Sequence, residues 1–253
     1  LADHPPETAA LYKSHRITYE SDPHDSKGRD FMKTVHCLTP ALLCLCLLMG
    51  PFLSHAATDS GDTDALLKAI ESRFTGKAFS AGFVQVTTDN AMGISDEAEG
   101  TLHVKYPGKM RWVYDYPQRH FFITDGETVW IHKPDDNQVI VGKATEILGD
   151  SKGATFLSDI GLIRERFTVS LEPSPSPSMN RLKLIPKHAT ADITSVYLTV
   201  SKATGDVVEV TTTNAYDSET TIVFKAFEFK EGMSEDLFHL SIPEGADVLQ
   251  YTP

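Results

Sequence analysis

Apolar and polar residues keep one rhythm early in the chain and another through most of the remainder. Leu66, Leu67, Ile70 and Phe74 recur at three-to-four spacing, which predicts an amphipathic helix over residues 58–77. Asp62 or Thr63 is placed to cap it, and Gly76 to end it. The period then switches to two. Phe79, Ala81 and Phe83 alternate with Ser80 and Gly82; Leu102, Val104 and Tyr106 alternate with His103 and Lys105; Met110, Trp112 and Tyr114 alternate with Arg111 and Val113. Further strand patterns cover 121–123, 128–132, 139–142, 166–172, 181–186, 195–201, 206–214, 220–229 and 238–242. Turn signals such as Pro107-Gly108, Asp125-Gly126 and Gly205-Asp206 divide them.

Short strands at this spacing predict an antiparallel meander of about ten or eleven strands. One stretch breaks the pattern: residues 144–160 carry Ile147, Leu148, Phe156, Leu157 and Ile160 around Gly149 and Gly153, and predict one or two short helices inserted in the sheet. A sheet this long curls, and helices over its open apolar face would enclose a hydrophobic space.

Three segments are expected along the 253 residues. Residues 1–31 are polar and lack periodicity; they read as a disordered leader or as translation assigned too far upstream, with Met32 as the true start. Residues 32–56 read as a secretory signal peptide, with Lys33 in a short n-region, an apolar run from Ala41 to Met49, and Ser54 and Ala56 as the small residues before cleavage. That run falls short of the ~20 residues that span a bilayer as a helix. Residues 57–253 form the mature domain. Cys37, Cys44 and Cys46 all lie in the signal segment, so the mature chain would have no disulfide, thiol nucleophile or Cys-based metal site. Leu43 and Leu45 precede Cys44 and Cys46 where a lipidation signal needs a small residue, so a soluble periplasmic product is expected.

The formal net charge of −12, with no Lys/Arg run, argues against nucleic acid as a partner. Catalytic sets are missing. There is no Gly-x-Ser-x-Gly, and His103, His120, His132, His188 and His239 stand singly rather than at zinc-site spacing. The Asp59–Asp64 run lacks the Glu that completes a calcium loop. No enzyme activity, metal or cofactor is expected. The large apolar side chains on strands, taken together, point to a pocket for an apolar ligand.

Tyr106-Pro107-Gly108-Lys109-Met110-Arg111-Trp112-x-Tyr114-x-x-Pro117 resembles the hallmark of the outer-membrane lipoprotein carrier family (LolA). Thr124-Asp125-Gly126-x-x-Val129-Trp130-Ile131 and Phe79-x-Ala81-x-Phe83-x-Gln85 extend the resemblance in the same order. It covers roughly residues 60–245. It implies an incomplete antiparallel β-barrel closed by a helical lid around a hydrophobic cavity. It also implies a monomeric periplasmic carrier with acylated lipoproteins as cargo. Its partners would be an ATP-driven lipoprotein-releasing transporter in the inner membrane and, where one exists, an outer-membrane receptor lipoprotein.

On this reading Phe83, Leu102, Val104, Met110, Trp112, Ile123 and Trp130 line the acyl-chain cavity. Tyr106, Leu148, Phe156, Leu157 and Ile160 belong to the lid. Members of the family often carry Arg at the position of Tyr106, where it latches the lid; a phenol offers one donor against five. Met110→Glu is expected to block uptake or release of cargo in a folded, secreted protein. The alternative is a periplasmic lipid-sensing regulator of the same half-barrel type, which usually carries a second domain. A receptor lipoprotein would need a lipidated Cys at the cleavage site, and a hydrolase of apolar esters would need a nucleophile and base.

Overall fold

The computed structural model describes residues 59–148, 157 and 159–252. The leader, the signal segment and Phe156 lie outside the described residues. The first helix, α1 (Asp59–Phe74), begins earlier than its expected caps, so Asp62 and Thr63 sit inside it rather than ahead of it. Gly76, with φ of +73°, ends it as expected.

Six strands come after it: β1 (Ala78–Asp89), β2 (Ile94–Lys105), β3 (Lys109–Tyr116), β4 (His120–Thr124), β5 (Thr128–Lys133) and β6 (Gln138–Lys143). Two short helices, α2 (Ala144–Ile147) and α3 (Leu162–Arg166), come next. Then β7 (Phe167–Glu172), β8 (Met179–Pro186), β9 (Ser195–Ser201), β10 (Val207–Thr213) and β11 (Ser218–Lys230) resume the sheet. A 3-10 turn (Glu235–Phe238) and a last strand, β12 (Asp247–Gln250), complete the chain.

All twelve strands join one sheet in the order β12-β6-β5-β4-β3-β2-β1-β11-β10-β9-β8-β7. Its edges, β12 and β7, do not meet, so the barrel is incomplete. Three expectations change. Tyr106 leaves β2 and enters a turn, because Pro107 has no N–H to extend the ladder. The strand expected over 238–242 is absent, since Pro243 comes next and the segment instead turns at Glu235–Phe238. In its place the unforeseen β12 pairs parallel with β6, an exception to the antiparallel pattern.

Strand parity sorts the sheet into two faces. Phe79, Val104, Met110 and Thr124 lie opposite one another across β1–β4, as do Ala81, Leu102, Trp112 and Phe122. On the other side of β1 the same face continues through Phe224, Val210, Leu198 and Leu182. This inner face is one hydrophobic core, which Leu67, Ile70 and Phe74 of α1 complete. Phe74 meets Phe79 edge-on, with ring centroids 5.3 Å apart.

Candidate functional site: the covered inner face

Aromatic rings from β3, β1 and β11 meet on the inner face, across the intervening β2. Phe83 packs edge-on against both Trp112 and Tyr114, each at a centroid distance of 5.0 Å, and Trp112 lies 6.2 Å from Phe224. Edge-to-face contacts of this kind add to the burial energy of the rings. Tyr114 also stacks on His120 at 4.1 Å and donates its hydroxyl to Gln85 Oε1 at 3.2 Å. Burial pushes the Tyr114 phenol up to about 12. Tyr114, Gln85 and Phe224 were not among the expected wall residues. Tyr114 shares parity with Trp112 on β3, and that was its signal in the sequence; Phe224 meets Phe83 only through the β1–β11 pairing.

Of the residues expected to line the cavity, Phe83, Leu102, Val104, Met110 and Trp112 are buried together in this core. Ile123 and Trp130 are not. They lie opposite each other on β4 and β5, and Ile123 pairs with Arg111 rather than with an apolar inner residue. Both therefore point to the outer face, where they form a separate cluster with Val139 and Leu240. The reason is register: the turn between β3 and β4 sets Ile123 out of step with Met110 and Trp112.

The segment from Asp236 to Ala246 covers that outer cluster. His239 meets Trp130 edge-on at 4.9 Å, and Arg111 donates from Nη1 to Leu237 O at 3.1 Å. Lys105 donates to Glu235 Oε1 at 2.6 Å, and Lys109 donates to the other oxygen of the same carboxylate. These two lysines hold the Glu235 carboxyl down to about 2. On the same face, burial and then the Lys230 and Arg111 charges lower the His103 pKa.

Of the expected lid, Leu157 and Ile160 are buried in the inner core together with Ile163. Leu148 is not part of it. It closes α2, whose Ile147 packs instead over Gly142 of β6, where a Cβ would meet Ile147 Cδ1 at 2.8 Å. Tyr106, also expected in the lid, donates its backbone N–H to Lys77 O at 3.1 Å, just ahead of β1, and so prolongs the β1–β2 pairing.

The side chain that ties α3 to α1 is Arg164. Its Nε donates to Glu71 Oε1 at 2.5 Å and its Nη1 to Asp64 Oδ1 at 2.7 Å. Hydrogen bonds from Lys68 and then Arg164 hold the Asp64 carboxyl below its ordinary value. Arg164 stands beside Glu165 and Arg166 in a short charged segment, and little in the sequence singles it out as the partner of the α1 acids.

A groove of about 490 Å³ lies outside this core, between α1 and the Ser201–Gly205 turn. Its lining includes Arg73, Lys77 and Lys202, so it is not the expected apolar cavity. Among the described residues no helix is long and apolar enough to cross a membrane, and no group of three or more His, Cys, Asp or Glu could hold a metal.

An open, mostly antiparallel sheet with one apolar face covered by α1 and the Leu157–Arg166 region defines an incomplete-barrel fold. Residues 75–241 match the family described as "Outer membrane lipoprotein carrier protein LolA". The chain belongs to that family. It is 28% identical to an outer-membrane lipoprotein carrier protein of Hahella chejuensis over 222 residues, covering 88% of this chain and 100% of the relative. To the carrier protein of Nitrosomonas europaea it is 30% identical over 211 residues, covering 83% of this chain and 96% of the relative. The fold is shared with a crystal structure of an uncharacterized conserved protein from Thermus thermophilus, with a TM-score of 0.51, 13% identity, and coverage of 75% of this chain and 99% of that one.

Proposed function

We propose that this protein is a periplasmic carrier that holds the acyl chains of lipoproteins on its inner face and shuttles them from the inner to the outer membrane. It acts by binding and release rather than by catalysis. The observation that carries this reading is the wall of Phe83, Trp112, Tyr114 and Phe224, which shares one core with Leu157, Ile160 and Ile163 of the cover.

Burying an acyl chain gains about 0.8 kcal/mol per methylene, so a multiply acylated protein leaves a membrane only against a cost of tens of kcal/mol. An energy source upstream is needed, and the ATP-driven lipoprotein-releasing transporter of the inner membrane is the proposed donor. The acceptor is the outer membrane, through a receptor lipoprotein where one exists. In the empty protein the cover supplies the apolar contacts that cargo would make. Cargo must displace Leu157, Ile160 and Ile163, and the lost packing lowers net affinity to a level that permits release.

Residues 1–56 are proposed to be leader and signal peptide, with residues 57–253 as the carrier. Native mass spectrometry of that mature chain, purified from a periplasm that contains lipoproteins, tests the function. A one-to-one complex with acylated lipoprotein, lost on delipidation, is expected. Free protein beside correctly modified lipoproteins would count against the carrier and favour a lipid-sensing regulator.

A further inference from the structure

The turns between β1 and β2 and between β10 and β11 form one tip at an end of the sheet. Asp89 pairs with Ser218, and Asn90 donates its backbone N–H to Asp217 O at 3.3 Å. Both turns are fixed by short polar contacts. Asp89 Oδ1 accepts from the Met92 N–H at 2.9 Å, and Asn214 Oδ1 accepts from the N–H groups of Tyr216 and Ser218, each at 2.9 Å.

These rigid turns hold large apolar side chains in solvent: Met92 is 67% exposed, Ile94 50% and Tyr216 70%. A single exposed apolar side chain needs no explanation, but three on adjoining turns mark an interaction surface. Acids surround them: Asp89, Asp96, Glu97, Glu99, Asp217 and Glu219. Residues 89–99 and 214–219 contain no Lys or Arg. The β3–β4 turn, level with Glu99 rather than with the tip, brings one cation, Arg119, over the Phe121 ring at 5.3 Å. Burial fades along β1 from Phe79 and Ala81 toward Asp89, so the tip stands beyond the inner core.

We propose that this tip is a protein-docking surface, and that its partner presents an apolar recess framed by lysine and arginine. Charge decides between a protein and a lipid surface. An anionic lipid surface would repel this acidic tip, whereas a basic frame attracts it and leaves the apolar centre to be desolvated. The surface goes beyond the cargo reading and does not need it.

Site-specific photo-crosslinking in cells that export the full chain tests this, with the reactive group at Met92, at Tyr216, or at Val248 on the distant β12 edge. Both tip positions should give the same discrete protein adduct, about tenfold above Val248, with Lys and Arg in the crosslinked partner peptide. The triple change Asp96→Lys, Glu97→Lys and Asp217→Lys should lower the yield about tenfold, while binding of a triacylated lipopeptide stays unchanged and shows the protein folded. Lipid adducts, equal yield at Val248, yield indifferent to the charge reversal, or no tip adduct at all would each overturn the docking surface. Lipopeptide binding retained alongside any of these would leave the carrier reading standing.

Discussion

Arg164 donates from Nε to Glu71 at 2.5 Å, and the same guanidinium reaches Asp64 nearer the start of the helix, so one side chain fastens α3 to α1 across the inner face. Arg164 is partly exposed. Its ion pairs are therefore screened, and they act on the closure of the cover more than on global stability. Arg164→Ala is expected to raise binding of an apolar dye to the cargo-free protein while lowering Tm by no more than about 3 °C. Dye binding equal to that of the parent protein would show that Arg164 is not a fastening of the cover.

Gly100 is a second fixed point. A Cβ there would lie 1.9 Å from Val113 O and 3.0 Å from Tyr114 Cα, at the irregularity where β2 and β3 shift register between Glu99 and Gly100. No flexible side chain can yield to it, because the neighbours are backbone. Gly100→Ala should cost about 2 kcal/mol or more, as overpacking does, and should misplace Tyr114 from Gln85. Urea unfolding with an unchanged midpoint would contradict this.

Met110 is among the most deeply buried side chains of the inner core, beside Val104 on β2. A carboxylate there has no cation of matching parity, since Arg111 points to the outer face. Burying it unpaired costs several kcal/mol. Met110→Glu should therefore lower the urea midpoint sharply, contrary to the intact fold expected from the sequence, and it is a poor probe of cargo binding. A midpoint near that of the parent would mean that the inner face admits water at Met110.

The outer-face strap should respond to acid. Glu235 bonds Lys105 and Lys109, and its pKa is depressed to about 2 in the folded protein. The sign comes from linkage: the contribution is fully present above the ordinary value of 4.5 and is lost as pH falls toward about 2. The Trp130 indole resonance, which reports the strap through its contact with His239, should hold its native position to below pH 4 and move between there and about pH 2. Movement centred near 4.5 would show that the lysines do not hold the carboxylate.

Much of this was legible in the period-two pattern. Ala81, Phe83, Leu102, Val104, Met110 and Trp112 announce a shared face by alternation alone, and the structure places all of them in one core. Alternation within a strand does not say how neighbouring strands line up. Ile123 and Trp130 have the right chemistry and the wrong parity, and only pairing across β3, β4 and β5 reveals it. The strand β12 escaped because its four residues are all exposed, so no face of it is marked by burial. The ties of Arg164 to α1 and of Glu235 to Lys105 join residues about a hundred or more positions apart, a distance over which local pattern carries no information.

The central claim is that acyl chains occupy the inner face. A triacylated lipopeptide with a photoreactive group near the end of one acyl chain tests it most directly, by mapping the adducts on the mature protein. Adducts on Phe83, Trp112, Tyr114 or Phe224, competed away by unlabelled lipopeptide, are the predicted result. Adducts concentrated on the outer-face Trp130 and Ile123, or no specific adduct at all, would contradict it.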